Sequence, residues 1–242
     1  ALVPDLFFPF AAPPVMGSMA DSGEQFEAQA RLLLWSVERA ISGLAALADR
    51  SAKAKRVHVV LPGSPNRGMF GGDGAYGETK AAFDAITNRW SAESIWARGT
   101  TLAHPKIGWV QGTGLMGGND ALAPAARKAG IRTYTTDEMA DELVALCTAE
   151  ARANALEGPL DADLTGGLAM GVDFKALQAA AAADAAATAS DDSDVAEDVT
   201  LIPALPSPAQ AKLASYDPAQ WAGVNANLED MVVVVGIGEV GP

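Results

Sequence analysis

The 242-residue chain holds a single cysteine, Cys147. No disulfide can close within it, and no zinc site built on several thiolates can form. Histidine is almost as scarce: His58 and His104 are the only two, which excludes a three-histidine catalytic metal centre. Basic residues are few as well, 17 Lys+Arg against 30 Asp+Glu, a formal charge of -13. A nucleic-acid binder needs a basic footprint and an anionic membrane surface recruits one, so this balance argues against both partners. No apolar run approaches the roughly 18 residues of a membrane span. No Lys/Arg-led signal peptide opens the chain. What remains is a protein of a reducing compartment, expected to be cytoplasmic. With 49% hydrophobic residues it can bury a real core, in one to two domains.

What is present reads as alternating strands and helices. Leu2 to Phe10 is an apolar stretch expected to form a buried strand, closed by Ala11-Ala-Pro-Pro14. Ser22 and Gln25 are spaced as a capping box. Phe26, Ala30, Leu33, Val37, Ile41, Leu44 and Ala48 then recur every three or four residues, an amphipathic helix. Arg56 to Leu61 is a second strand, ended by Pro62-Gly63. Residues 64–74 are rich in Gly, Pro and Asn and predict a loop, and 75–97 a helix. Residues 100–103 with 107–110 form a third strand region, followed by a loop at Gly112–Gly118. Thr135 and Glu138 open a last helix expected to reach Asn154. Such alternation predicts a parallel sheet wrapped by helices over residues 1–154.

The composition then shifts. Residues 155–178 trail from the sheet, and 179–200 form an Ala/Asp-rich linker. Residues 176–211 hold six acids and neither Lys nor Arg. Residues 201–242 form a separate element around the strand Met231–Val235. Gly236-Ile-Gly-Glu-Val-Gly241 spells the G-x-G-x-x-G of a dinucleotide loop, but no helix follows it in the chain, so a tight turn is the plainer reading. The chain opens on Ala1 and closes just past a strand signal, which fits a piece of a longer polypeptide.

One constellation carries chemistry. Tyr76 and Lys80 are four apart, on one face of a helix. An ammonium near a phenol favours the phenolate, and would make the phenol a usable acid near neutral pH. Alone, the pair reads equally well as an ordinary surface contact. Ser64, however, sits just past a strand end, where ligands gather in parallel sheets. Gly108 and Thr113 flank the end of the next strand.

This order resembles the short-chain dehydrogenase/reductase family. The longer stretches Leu61 to Lys80 and Ile107 to Asn119, with Phe8-Pro-Phe-Ala-Ala12 and the closing Val-Val-Val-Val-Gly-Ile-Gly-Glu-Val-Gly-Pro, are similar to the ketoacyl reductase region of the multifunctional type I fatty acid synthases of fungi and actinobacteria, most like the actinobacterial form. The resemblance implies the catalytic half of a Rossmann-like domain, followed by a linker and the start of a connection toward the ketosynthase. It implies NADPH-dependent reduction of 3-oxoacyl-[acyl carrier protein] in fatty acid biosynthesis. Tyr76 would be the proton donor and Ser64 would orient the carbonyl. Lys80 would tune Tyr76 and hold the nicotinamide ribose, with Tyr76, Gly108 and Thr113 beside the cofactor. The implied partners are a tethered acyl carrier protein, the other synthase domains and further copies in a homo-oligomer.

Two departures stand out. The family's dinucleotide loop belongs upstream of these residues. Its relay asparagine has no counterpart, because the helix over 24–48 contains no Asn, and Gln29 and Ser36 are the candidates to replace it. Asn66 and Asp73 are expected to shape the loop, with Asn66 a candidate substrate contact. Arg67 and Arg89 are candidates to meet an acidic carrier protein. His58, His104, Cys147 and the tryptophans 35, 90, 96 and 109 read as packing. Two other readings stay open: a scaffold segment without catalysis, and a stand-alone reductase of another carbonyl.

Overall fold

The computed structural model describes residues 3–12, 15–51, 55–69, 71–113 and 117–189. The acidic run beyond 190, the strand expected at Met231–Val235 and the glycine pattern at 236–241 lie outside them. The described elements belong to one compact unit, Ala1–Ala189.

The elements follow in chain order. Strand β1 is Leu6–Phe7, helix α1 is Glu24–Ala30, and a π turn at Arg31–Trp35 leads into α2, Ser36–Asp49. Strand β2 is Val57–Val60, followed by α3 (Tyr76–Ala92) and α4 (Ser94–Ala97). Strand β3 is Thr100–Ile107 and β4 is Trp109–Val110. Helix α5 is Ala123–Lys128, β5 is Thr133–Tyr134, α6 is Thr136–Ala145 and α7 is Ala149–Asn154. Strand β6, Leu160–Leu164, and helix α8, Phe174–Ala189, complete the unit.

Four strands pair in parallel in the order β1-β2-β3-β6, and β4 pairs with β5 in a separate two-stranded ribbon. The expected class, a parallel sheet flanked by helices, is the fold observed. Strand β2 shows why. Val57, Val59 and Leu61 enter the core beneath α2 and α3, with Phe83, Ile86 and Trp90. Val60 points the other way, to Tyr134, Met139 and Leu143. A strand buried on both faces must be largely apolar, as in sheets covered by helices on each side, and the one polar side chain of β2, His58, is hydrogen-bonded.

The long helix before β2 buries Gln29, Leu33, Val37, Ile41 and Ala45. A strict spacing of four turns the buried face by about 40° per step on an ideal α-helix. The wider π turn at Arg31–Trp35 takes up part of that drift.

Several expectations are corrected. Leu2–Phe10 is not a buried strand: β1 spans two residues, and Leu6, Phe8 and Phe10 are 37%, 41% and 39% exposed. As an edge strand, β1 pairs only with β2 among the described residues. Ser22 does not cap α1; Gly23 does, without a side-chain bond. The helix expected over 75–97 breaks at Glu93, which is extended (φ −115°, ψ 81°). The helix expected from Thr135 to Asn154 divides before Thr148, which caps α7 by accepting the Ala151 N–H. Residues 155–178 do not merely trail: they supply β6, whose five residues pair with β3 from Ala103 to Ile107. The alanine tract is helical within α8, in line with alanine's propensity, and Leu177 and Ala181 pack on Trp109 and α5.

Candidate active site

The site lies at the carboxyl end of β2. Beyond Val60 the chain keeps its pairing for three residues: Gly63 N–H donates to Pro105 O at 2.9 Å, and Ile107 N–H donates to Gly63 O at 3.1 Å. This rail delivers Ser64, 7% exposed, at the rim of the sheet. The Asn66 N–H donates to Ser64 Oγ at 3.1 Å. That bond occupies a lone pair, so the Ser64 hydroxyl still acts as a donor.

The Gly-rich loop then folds on itself. Asn66 Nδ2 donates to Asp73 Oδ2 at 2.7 Å, and Asn66 Oδ1 accepts the Gly68 N–H at 2.9 Å. Both ends of the Asn66 amide are therefore engaged inside the loop. Tyr76 follows as the first residue of α3, half-buried beside Ser64. Ser64 lies near enough to the Tyr76 hydroxyl to favour the phenolate.

One turn on, Lys80 is 5% exposed. Its Nζ donates to Pro62 O at 2.8 Å and lies 5.5 Å from the Tyr76 ring centroid and 4.8 Å from that of Phe83. Desolvation lowers the Lys80 pKa to about 8. Tyr76 moves against expectation: its pKa is raised, because burial outweighs the effect of Ser64 and Asp73 repels the phenolate. The sequence puts Lys80 on the correct face of α3, but its ammonium is turned to the Pro62 carbonyl rather than to the phenol oxygen.

The structure thus brings Ser64, Tyr76 and Lys80 together. Gly108 lies on the same rim, between β3 and β4. A Cβ there would lie 2.3 Å from Thr165 O, and its N–H donates to Leu164 O at 3.0 Å. Only glycine permits that approach of two backbones. Thr113 follows β4, its hydroxyl donating to Val110 O at 3.0 Å. Asp120 holds the turn before it by accepting the Gly112 N–H at 2.7 Å.

The other candidates take structural places. Ser36 is exposed, its hydroxyl donating to Leu32 O. Gln29 is buried and bonded to backbone near Tyr76. Arg67 pairs with Asp84 at 2.6 Å, and Arg89 pairs with Glu93 at 2.9 Å. His58 is buried between Thr101 Oγ1 (2.8 Å) and Leu146 O (3.1 Å). His104 is buried on Phe83, with its Nδ1 3.6 Å from Asp84. Cys147 is partly buried just past α6. Among the tryptophans, 90 and 109 are core, whereas Trp35 is 46% exposed. Among the described residues no group of three or more His, Cys, Asp or Glu could hold a metal ion, and no helix is long and apolar enough to cross a membrane.

Sequence reasoning missed the Pro62 carbonyl as the Lys80 partner. A backbone acceptor leaves no mark in a sequence beyond the proline that ends the strand.

The sequence is 32% identical over 272 residues to the fatty acid synthase subunit alpha of Saccharomyces cerevisiae, an alignment covering 98% of this chain and 14% of that subunit. It is 36% identical over 262 residues to the fatty acid synthase alpha subunit hexA of Dothistroma septosporum, covering 98% of this chain and 15% of that one. By sequence, the chain belongs to the fungal-type fatty acid synthase family. It spans only 14–15% of the length of these synthase relatives. No protein-family model matches it. Among solved structures it resembles a short chain dehydrogenase from Bacillus anthracis, with a TM-score of 0.53 and 16% identity over 67% of this chain and 63% of that one. It also resembles 4-hydroxyisoleucine dehydrogenase complexed with NADH, with a TM-score of 0.57 and 16% identity over 71% of this chain and 70% of that one. At such identities the likeness speaks for fold: this synthase segment carries the Rossmann-like sheet of short-chain dehydrogenases.

Proposed function

We propose that these residues form the catalytic half of a ketoacyl reductase within a fatty acid synthase. The reaction is reduction of a 3-oxoacyl thioester, carried by the acyl carrier protein, to the 3-hydroxyacyl form. The observation that carries this reading is the convergence of Ser64, Tyr76 and Lys80 at the carboxyl rim of a parallel sheet.

A nicotinamide cofactor, NADPH in this proposal, supplies the hydride when bound. The residues present fit it. Lys80 spends one donor on Pro62 O and keeps two N–H donors for ribose hydroxyls. Gly108, just past β3, and Thr113, just past β4, would line its nicotinamide side.

The chain's own part is to manage charge on the substrate oxygen. Ser64 has its oxygen held by the Asn66 N–H, so its O–H donates to the 3-oxo group and orients it. As the carbonyl carbon is reduced, negative charge grows on that oxygen, and Tyr76 gives it the phenolic proton. The raised pKa keeps Tyr76 protonated throughout neutral pH, the state a general acid must start from. An alkoxide is a far stronger base than a phenolate, so the transfer still runs downhill. The Lys80 ammonium offsets the charge left on the phenolate. The proposed setting is a cytoplasmic, multifunctional homo-oligomer in which the carrier protein is tethered to the same assembly.

The test uses the complete parent polypeptide and its Tyr76→Phe variant, with NADPH and a short 3-oxoacyl thioester. Loss of about a hundredfold or more in kcat, with NADPH still bound, is the expected result. Equal rates in parent and variant would transfer this segment to the scaffold reading.

A further inference from the structure

Gln29 is not needed to line the site, yet it is 5% exposed and fully engaged. Its Oε1 accepts the Ala75 N–H at 2.7 Å, and its Nε2 donates to Met16 O at 3.2 Å. Ala75 is the N-cap of α3 and offers no side-chain cap of its own. The first N–H groups of a helix lack intrahelical acceptors. Gln29 supplies one from α1, across 46 residues of sequence.

The glutamine also packs on the backbone itself. Gly74 has φ +56°, and a Cβ there would lie 2.2 Å from Gln29 Oε1. A side chain there would have to displace the amide and adopt a left-handed backbone. The segment holding Met16 closes the arrangement: Gly17 N–H donates to Gly72 O at 3.1 Å, and Gly74 N–H donates to Gly17 O at 3.0 Å. Gln29 therefore ties α1, residues 16–17 and residues 72–75 at one point. The Asn66–Asp73 bond, 2.7 Å, fixes the other end of the same loop. Tyr76 is the next residue after the tie.

We infer that Gln29 is a positioning residue, holding Gly74–Ala75 so that the Tyr76 hydroxyl meets Ser64 at the substrate oxygen. The inference rests on the reductase reading above. Both ends of the Gln29 amide are taken by backbone groups, so it holds geometry and passes no proton. Ser36 has its hydroxyl turned to Leu32 O and does neither.

The experiment compares the intact parent polypeptide with its Gln29→Ala, Gln29→Glu and Tyr76→Phe variants. A short 3-oxoacyl thioester and NADPH are the substrates, and hydrogen exchange is followed in the peptide covering 72–80. Gln29→Ala is expected to lower kcat at least about tenfold, since small misplacements of a reacting group are costly. KM for both substrates should stay within about twofold. Exchange at 72–80 should quicken. Gln29→Glu adds a readout that packing alone would not give. A neutral carboxyl reproduces both bonds, its C=O accepting from Ala75 and its O–H donating to Met16, whereas the carboxylate loses the donor. Its kcat should therefore rise relative to the parent as pH falls, and this variant decides the matter where Gln29→Ala does not fold.

An unchanged kcat and unchanged exchange in Gln29→Ala, with Tyr76→Phe inactive, would overturn the positioning role and leave the reductase reading intact. Should Tyr76→Phe keep the parent rate, the reductase reading falls by itself. The exchange at 72–80 then decides whether Gln29 holds that backbone: quicker exchange upholds the tie, and unchanged exchange removes it.

Discussion

Burial gives Lys80 a pKa of about 8. Its charge is complete below that pH and is lost above it. Tyr76 is raised above its ordinary value of 10, so the lysine titrates first as pH climbs. If the site needs both protons, kcat/KM falls above about pH 8 with Lys80 in control. A pH profile of the parent beside Lys80→Arg checks this: the variant should carry its alkaline limb above about pH 10. A parent profile flat to about pH 10 would count against the role. Stability moves the other way. From about 8 up to 10.5 the unfolded chain holds the lysine proton more tightly, so this group favours folding as pH rises. Beneath Lys80, Phe83 is fully buried. Phe83→Ala should cost about 3–5 kcal/mol in urea denaturation, the range for emptying an aromatic core site. The positions of Ser64, Tyr76 and Lys80 were legible in the sequence because strand ends and four-residue helical steps are local rules, while their expected roles came from the family resemblance. The direction of the Tyr76 shift was not, because it depends on how much water the folded site excludes.

Among the elements, α6 shows its start in the sequence and α1 does not. Thr135 accepts the Glu138 N–H at 3.1 Å while Glu138 Oε2 accepts the Thr135 N–H at 2.8 Å, a closed capping box. Thr135→Ala should cost about 0.5–2 kcal/mol, read from the urea midpoint. A loss within experimental error would mean that α6 is held by packing alone. Ser22 and Gln25 have the same spacing, yet the helix begins after Gly23. Spacing states which bonds a chain could make; here Ser22 closes the 3-10 turn at Met19–Asp21 instead. The breaks at Glu93 and Thr148 rest on local bonds. Glu93 leaves the helix and accepts the Trp96 indole N–H at 2.9 Å, while Thr148 turns its hydroxyl oxygen to the start of α7.

For the whole unit, two buried histidines set the response to acid. Desolvation is the largest cause lowering the pKa of both His58 and His104 below 6.5. The unfolded chain therefore binds protons before the folded one as pH falls through 6.5, and stability drops. Glu93, Glu138 and Asp163 are depressed by hydrogen bonds, so their contributions persist until pH falls below their ordinary values of 4.5, 4.5 and 3.8. Weakening should thus begin near pH 6.5, before any of these carboxylates takes part. Urea midpoints at pH 7.5 and 5.5 check this, and equal values would remove the histidines from the account.

Periodicity by itself determined the parallel α/β class: β2 is a mostly apolar run buried on both faces, and the amphipathic helices had to cover them. The sequence also placed a hydroxyl, a phenol and an amine within reach of one rim. Leu160–Leu164 alternates polar and apolar residues, the period of a half-buried strand, but only tertiary structure set its parallel pairing with β3. It decided that Lys80 turns to a carbonyl and that Tyr76 is harder to ionise. It also gave Gln29 its partners, because a contact across 46 residues follows from how the chain packs and not from any local pattern.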